Sequence, residues 1–388
     1  MRSFYKIIHT AGRNHWGERE KRILSESVWM LSQGHKVAII TPAQSPLFLK
    51  ARQHGITVYP LSFKPLARFG EYSQLKQLFA SEDPFVVNVH GRADAIIALK
   101  AAQKTGVPCR IMSRHNGDRV KLTWPNKKIY KDIPHYVFTT SQDTTHHIKE
   151  TFGLSDMGIF SIPDGITLPK TLPARTDARK KLAELLGLQP DTRFIGFSGQ
   201  VNSKGVKFIL NAVSKISPEF SHHLVFNRDL SEQEKDLLNK KAKIREKVHT
   251  YTPEKGSPAW LLYRALDCCC FMTSGTQFYE GIPYELMATM LSGCPVVGSD
   301  TPGIKDILIP GETGLIFQSE NPDHLADQLK NTLGNEAAAM ERVYTARKKV
   351  QKHHTIDAMA RNIIRIYRLR QVKIEKLGYH GWPSQNIS

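Results

Sequence analysis

The sequence is short of acidic residues, cysteine and long apolar runs. Its 388 residues include 36 Asp and Glu against 54 Lys and Arg, which gives a formal net charge of +18. No stretch of about 18 apolar residues occurs, so no segment is expected to span a membrane. The N-terminal residues enter a strand-like segment without a long apolar stretch or a small-residue cleavage site. A signal peptide is therefore not expected, and the cytosol is the predicted compartment.

The five cysteines lack the spacing of a metal module. Their number is odd, and no CxxC or histidine-rich spacing accompanies them. Cys268, Cys269 and Cys270 are consecutive. Neighbouring residues of a strand point to opposite faces, so these three thiols are not expected to bind one metal ion. We interpret the cysteines as small, buried apolar residues.

The excess of positive charge favours an anionic partner. A membrane leaflet, a phosphorylated glycolipid and nucleic acid would each satisfy it, and a basic surface that is merely solvated is the alternative. The basic residues are spread along the whole chain, and no helix-turn-helix spacing, zinc module or RNA-binding signature is present. A nucleic-acid partner is therefore not expected.

Strand-like apolar segments alternate with amphipathic stretches from end to end, which predicts doubly wound parallel sheets. A chain of 388 residues is expected to form two such α/β domains. A helix is predicted from about Glu18 to Gln33, because apolar residues follow one face and Gly34 stands at its end. The strand-like segments are Tyr5–His9, Val37–Thr41, Phe85–His90, Arg110–Ser113, Tyr136–Ser141, Phe194–Phe197, Leu224–Phe226, Val248–Thr250, Asp267–Met272, Pro295–Gly298 and Gly314–Phe317.

Proline and glycine separate the two series of strands. Pro163, Asp164 and Gly165, followed by the proline-containing residues 168–173, are typical of a linker. This predicts an N-terminal domain over residues 1–165 and a C-terminal domain over residues 166–355. A last amphipathic helix, residues 356–375, is expected to pack back on the first domain, and residues 376–388 to form a loose tail.

The segment that says most about chemistry runs from a strand through an acidic loop into a helix. Asp267–Ser274 has the apolar pattern of a strand, and Glu280 precedes Gly281, Ile282 and Pro283. Pro283 suits the start of a helix, because its missing N–H costs nothing there. Amides at such a helix start can hold phosphate, and a glutamate beside it can accept hydrogen bonds from sugar hydroxyls.

This segment resembles the donor-site motif of the retaining glycosyltransferases of family 4, or glycosyl transferases group 1. The resemblance implies a GT-B fold, in which two doubly wound Rossmann-like domains face each other across a cleft. The N-terminal domain would then bind the acceptor, and the C-terminal domain the nucleotide-sugar donor. Further pieces that match in the expected order, over nearly the whole chain, are Trp16–Glu20, Ile162–Ile166, Phe197–Gly199, Lys204–Val206, Thr301–Gly303 and Gly311–Leu315.

The resemblance also implies roles for single residues. Glu280 would contact the donor sugar near the reacting centre, and His115 would face the reacting sugar, so these are the predicted catalytic residues. Lys204 would neutralise the donor diphosphate. No metal or cofactor is expected, because the nucleotide-sugar is a substrate, and lysine, helix N-termini and loop amides would stabilise the leaving diphosphate. The other predicted donor-binding residues are Gly17, Gln200, Gly281, Ile282, Pro283 and Glu285.

Three positions depart from the family pattern. Ala288 stands where the family has a second glutamate for the nucleotide ribose, and Glu285 on the same helix is the predicted replacement. Gln200 stands in place of an arginine, and Glu18 in place of a glycine of the N-terminal loop. Each charge change would weaken diphosphate binding by about 1.5–3 kcal/mol. The nearby cations that would compensate are Arg13 and Arg19.

We therefore expect an enzyme that transfers a hexose-type sugar from a nucleotide-sugar donor to an anionic glycan or glycolipid acceptor with retention of configuration. The expected setting is bacterial lipopolysaccharide or surface polysaccharide biosynthesis, with peripheral attachment to the anionic inner face of the cell membrane. The three departures keep open a second hypothesis, a catalytically decayed relative that acts as a binding protein. A nucleotide-sugar epimerase and a nucleic-acid binder are the further alternatives.

Overall fold

The structure is a computed structural model, and it describes residues 4–64, 67–199, 202–216, 221–253, 259–272 and 281–377. The chain divides into two compact units. The first is Met1–Gly165 together with Ile356–Ser388, and the second is Ile166–Thr355. Within the described residues, no helix combines the length and the apolar composition that crossing a bilayer requires.

The first unit contains a seven-stranded sheet in which every pairing is parallel. Its strands are β1 (Lys6–Thr10), β2 (Lys36–Thr41), β3 (Thr57–Pro60), β4 (Val86–Val89), β5 (Cys109–Ser113), β6 (Tyr136–Thr139) and β7 (Ile159–Ser161). Their order across the sheet is β3-β2-β1-β4-β5-β6-β7. Because β1, β4 and β5 are neighbours and parallel, the residues that follow them meet at one edge of the sheet.

Helices alternate with these strands. The first begins after Gly17, whose backbone is extended, and it ends before Gly34, whose positive φ of 87° suits the left-handed conformation that commonly follows a helix. A π-helical turn, Lys128–Asp132, precedes β6. The helices of the first unit are α1 (Glu18–Ser32), α2 (Pro46–Gln53), α3 (Arg68–Glu82), α4 (Arg92–Lys104), α5 (Trp124–Lys127), α6 (Gln142–Phe152) and, from the end of the chain, α15 (Ile356–Lys376).

Both faces of the first sheet are buried. Ile7 and Ile8 are consecutive in β1 and fully buried, yet they belong to different apolar clusters, because successive side chains of a strand point to opposite faces. The cluster around Ile7 also contains Ile363 and Tyr367 of α15. Each such apolar side chain contributes about 1.5–3 kcal/mol when it is fully buried. The last long helix is thus part of the core of the first unit.

The second unit contains a six-stranded parallel sheet in the order β10-β9-β8-β11-β12-β13. These strands are β8 (Phe194–Ser198), β9 (His223–Phe226), β10 (Val248–Thr250), β11 (Cys268–Phe271), β12 (Val296–Ser299) and β13 (Leu315–Phe317). The helices are α7 (Arg175–Leu185), α8 (Ser203–Val213), α9 (Glu232–Asn239), α10 (Ala242–Arg245), α11 (Trp260–Ala265), α12 (Tyr284–Leu291), α13 (Pro322–Gly334) and α14 (Glu336–His353).

The cysteines are core residues of these sheets. All five are buried and carry free thiols. Cys268 and Cys270 lie in one apolar cluster, whereas Cys269 lies in the cluster on the opposite face of β11. The interpretation of the cysteines as small, buried apolar residues is confirmed.

Two strands of the first unit were not predicted. β3 lies at an edge of the sheet and none of its four residues is buried, so the apolar pattern is weak. β7 has three residues, of which only Ile159 is buried. The last helix continues to Lys376, and residues 378–388 of the predicted tail lie outside the described residues.

Candidate functional site

Three histidine rings stand in series at the carboxyl edge of the first sheet. His9 belongs to β1, His90 follows β4 and His115 follows β5. Nδ1 of His9 lies 2.9 Å from Nε2 of His90, and Nδ1 of His90 lies 2.8 Å from Nε2 of His115. The predicted catalytic residue His115 is therefore the end of a hydrogen-bonded chain of three rings.

All three rings are buried and neutral. His9 is 0% exposed, His90 3% and His115 7%. Burial penalises the charged imidazolium, so it lowers the pKa of His9 to about 3 and that of His90 and His115 well below the ordinary value. The positive charge of Arg22 lowers all three pKa values further. At neutral pH each ring therefore offers one N–H donor and one bare nitrogen.

The other end of the chain faces a group of charged residues. Oε1 of Glu26 lies 3.9 Å from Nε2 of His9, and Oε2 of Glu26 lies 3.8 Å from Nε of Arg22. Nη1 of Arg22 donates to the carbonyl oxygen of Ile162 at 2.6 Å and to Oδ1 of Asp164 at 2.5 Å. Burial raises the pKa of Glu26 to about 7, although its attraction to Arg22 opposes that rise. Arg22 thus joins α1 to the segment after β7 and favours the ionised form of Glu26.

Sequence patterns alone did not identify His9, Arg22 or Glu26 as candidate site residues. A usable signal was present in α1, where Arg22 and Glu26 lie four positions apart on the stripe that carries the buried Ile23 and Met30. Charged residues on the core-facing side of a helix are rarely fully buried unless they are paired. An Arg–Glu pair on the apolar stripe of a helix therefore indicates a buried polar site.

The loop between β1 and α1 holds its charges in local pairs. The backbone N–H of Gly17 donates to Oε2 of Glu20 at 3.1 Å, and Nε of Arg19 donates to Oε1 of the same glutamate at 2.8 Å. Glu18 is exposed and pairs with Lys21 at 2.6 Å. Arg19, one of the cations expected to compensate for Glu18, is therefore already paired with Glu20.

A second buried carboxyl lies beside the same edge. Oγ1 of Thr10 donates to Oδ2 of Asp94 at 2.5 Å, and Asp94 is fully buried at the start of α4. Burial raises the pKa of Asp94 to about 6. The Asp94 carboxyl packs closely against Gly91, where a Cβ atom would lie 2.6 Å from Oδ1 of Asp94, so the missing side chain of this glycine permits the approach.

In the second unit, two predicted residues, Gln200 and Glu280, lie outside the described residues. Lys204 is exposed in the first turn of α8. Oδ1 of Asn202 accepts hydrogen bonds from the backbone N–H groups of Lys204 and Gly205, both at 3.1 Å. Asn202 therefore caps α8, because it accepts from two amides of the first helical turn.

The start of α12 combines a glycine of positive φ with buried apolar residues. Gly281 has a φ of 97°, Ile282 is 5% exposed, and Pro283 is the extended residue immediately before the helix. Glu285 is exposed in the first turn, whereas Ala288 is fully buried in the apolar core. Glu285 and Ala288 thus occupy different environments, and the role of Glu285 toward a ribose stays a prediction.

Two family models match the chain. The model described as Glycosyltransferase Family 4 matches residues 20–169, and the model described as Glycosyl transferases group 1 matches residues 192–335. A curated relative, the D-inositol 3-phosphate glycosyltransferase of Xylanimonas cellulosilytica, is 23% identical over 205 residues. That match covers 51% of this chain and 48% of the relative, so it spans about half the length of that protein.

Solved structures share the fold across both units. A glycosyltransferase from Rickettsia africae superposes with a TM-score of 0.81 at 16% identity, covering 95% of this chain and 99% of its own. HepE from Anabaena, solved with UDP and glucose, has a TM-score of 0.69 at 15% identity over 93% and 98% of the two chains. The lipopolysaccharide outer core galactosyltransferase WaaB has a TM-score of 0.71 at 16% identity over 94% and 99%.

The two domain models together span most of the chain, and the parallel α/β architecture of each unit agrees with the GT-B structures. The order of the two domains is the order that the sequence motifs predicted. This chain belongs to the GT-B glycosyltransferases, with a family 4 domain followed by a group 1 domain.

Proposed function

We propose that this glycosyltransferase moves a hexose-type sugar from a nucleotide-sugar donor to an anionic glycan or glycolipid acceptor, with retention of configuration. The main support for this proposal is the environment of His115. This residue ends the chain of buried histidines, and its Nδ1 has no hydrogen-bond partner among the described residues. A buried, unsatisfied ring nitrogen at the carboxyl edge of a parallel sheet lies where α/β proteins bind their ligands.

The donor side of the proposal rests on the group 1 domain and on the fold. HepE, which shares the fold, was solved with UDP and glucose, and a nucleoside diphosphate sugar is the donor proposed here. Lys204 supplies positive charge to the departing diphosphate, and Glu280 contacts the sugar hydroxyls. In this proposal no metal ion or other cofactor is needed, because lysine and backbone amides stabilise the leaving anion.

The acceptor side rests on charge. The chain carries a formal net charge of +18, which favours an acceptor bearing phosphate or carboxylate groups. The curated relative is named for a phosphorylated acceptor, and WaaB for the lipopolysaccharide outer core. We place the enzyme in bacterial lipopolysaccharide or surface polysaccharide biosynthesis.

A basic and apolar patch on the first unit supports attachment to the anionic inner face of the cell membrane. Leu122 and Trp124 are 64% and 65% exposed. The ammonium groups of Lys100 and Lys128 lie 6.0 and 5.9 Å from the Trp124 ring centroid. Exposed Trp and Leu side chains among lysines suit the interface of an anionic leaflet. Lys121 and Lys127, both exposed, extend the positive charge of this Trp124 patch.

A sugar-transfer assay tests this function. The purified protein is incubated with radiolabelled UDP-, GDP- or ADP-hexoses and with truncated lipopolysaccharide, and label in the lipid fraction is measured. We expect incorporation from one donor and an α-linked product from an α-linked donor. Donor binding without incorporation into any acceptor would favour the decayed relative, and interconversion of the nucleotide-sugar without acceptor would favour the epimerase.

A further inference from the structure

The histidine chain permits only two arrangements of its protons. Each ring–ring contact needs one N–H and one bare nitrogen, and each neutral ring has one of each. If His9 donates from Nδ1, then His90 must donate from Nδ1 to His115, and His115 carries its own proton on Nδ1. If His115 instead donates from Nε2, then His90 and His9 also carry their protons on Nε2. The three tautomers are therefore coupled, and one choice fixes all of them.

Glu26 decides between the two arrangements. Its Oε1 lies 3.9 Å from Nε2 of His9, too far for a hydrogen bond but close enough for a strong electrostatic preference in a buried setting. A carboxylate attracts the N–H form of that nitrogen and repels its lone pair. Burial raises the pKa of Glu26 to about 7 and Arg22, 3.8 Å away, opposes that rise, so an ionised fraction is present at neutral pH and grows above it. The arrangement with every proton on Nε2 is therefore the favoured one.

This arrangement leaves a lone pair at the far end of the chain. Nδ1 of His115 is then bare, and it has no hydrogen-bond partner among the described residues. The alternative use of three clustered histidines, a metal site, does not fit. Four of the six ring nitrogens are engaged in the ring–ring contacts, and no cluster of His, Cys, Asp or Glu within the described part of the chain has metal-binding geometry.

We propose that His9 and His90, oriented by Glu26, are positioning residues that hold His115 as its Nε2–H tautomer, so that Nδ1 accepts a hydrogen bond from a hydroxyl of the bound sugar. The identity of that ligand rests on the proposed function. The tautomer itself does not, since it follows from contacts within the first unit. A structural role alone would require the rings to pack, but it would not require one proton arrangement.

The first test is spectroscopic and needs no ligand. The full chain is labelled with ¹⁵N-histidine, and long-range ¹H–¹⁵N correlation spectra distinguish protonated from bare ring nitrogens. His115→Gln assigns the resonances by their disappearance. We expect His115 to carry its proton on Nε2 in the wild type, and Glu26→Gln to move population toward the Nδ1–H form. A protonated Nδ1 in the wild type, or a tautomer unchanged by Glu26→Gln, would overturn the proposal.

The second test uses turnover. His90→Phe keeps a ring of similar size but removes both nitrogens, and we expect kcat to fall about ten- to hundred-fold with little change in the donor KM. His90→Gln retains one donor and one acceptor and should recover most of the lost kcat. Equal loss in both variants, or unchanged kcat in His90→Phe, would contradict positioning through hydrogen bonds. If the proposed function is wrong, the wild-type protein will not transfer sugar. The tautomer of His115 can still be measured in the wild type and in Glu26→Gln, so the two failures are distinguishable.

Discussion

At the scale of single residues, the buried histidines restrict the chemistry that the first unit can perform. Burial holds the pKa of His115 well below its ordinary value. The imidazolium is therefore inaccessible near neutral pH, and a role as proton donor to a leaving group would require a costly charged state. A neutral ring that receives a hydroxyl hydrogen bond is the role that this environment allows. Orientation of the sugar, rather than acid catalysis, is what we expect from His115.

The predicted catalytic residue of the second unit is Glu280, which lies outside the described residues. We expect Glu280→Ala to lower kcat/KM by about 100-fold, in the range typical of removing one group that stabilises a transition state. Initial transfer rates and circular dichroism measure activity and folding together. Glu341→Ala, an exposed change on α14, is the control and should keep full activity. Full activity in Glu280→Ala would remove Glu280 from the site.

The sequence supported His115 through a resemblance, but it could not supply the residues around it. His9, His90 and His115 are separated by 81 and 25 positions, and they meet only because β1, β4 and β5 are neighbours. Strand order is a property of the folded sheet and not of local pattern. The pairing of Arg22 with Asp164 could not be predicted either, because these residues are 142 positions apart along the chain and meet only in the folded unit.

At the scale of elements, the short helix α5 presents the Trp124 patch. We expect Trp124→Ala to weaken binding to vesicles of phosphatidylglycerol and phosphatidylcholine about tenfold, equivalent to about 1.4 kcal/mol. Cosedimentation measures this, and vesicles of phosphatidylcholine alone should bind weakly in every case. The matched control is Tyr344→Ala, which removes another exposed aromatic ring, with Lys348 4.2 Å above its centroid, in the second unit. Equal effects of the two substitutions would contradict the assignment of the patch.

Elements with a strong apolar pattern were predicted well, and strands with a weak apolar pattern were not. α1 was predicted to within a residue, because an apolar stripe and Gly34 mark its course and end. β3 and β7 were not predicted, because the edge position of β3 and the short length of β7 weaken their apolar patterns. Hydrogen bonding to neighbours stabilises such strands, and no local pattern reports those neighbours.

At the scale of the whole molecule, stability should depend on pH through its neutral histidines. Burial lowers the pKa of His9 and His135 to about 3 and that of His354 to about 4. Below about pH 6.5 the unfolded chain binds protons at these histidines that the folded chain does not bind. The stabilisation that the neutral histidines contribute is therefore complete above that pH and is lost on acidification. Each such histidine contributes a slope of about 1.4 kcal/mol per pH unit.

Buried carboxyls act in the opposite direction but are fewer. Glu26 and Asp94 have pKa values raised to about 7 and about 6, so their contributions favour folding at lower pH. We expect urea unfolding to give a smaller free energy at pH 5 than at pH 6.5, and His135→Gln to reduce that difference. Equal unfolding free energies at the two pH values would show that the rings are not held neutral.

Sugar transfer requires that the second unit bind a nucleotide-sugar despite its departures from the family pattern. Melting temperatures measured with UDP, GDP, ADP and their common hexose conjugates report this binding, because a ligand that binds only the folded state stabilises it by about 2.7 kcal/mol at 100 times its Kd. We predict a clear rise with one nucleotide and with its sugar conjugate. No rise with any of them would contradict a working donor site.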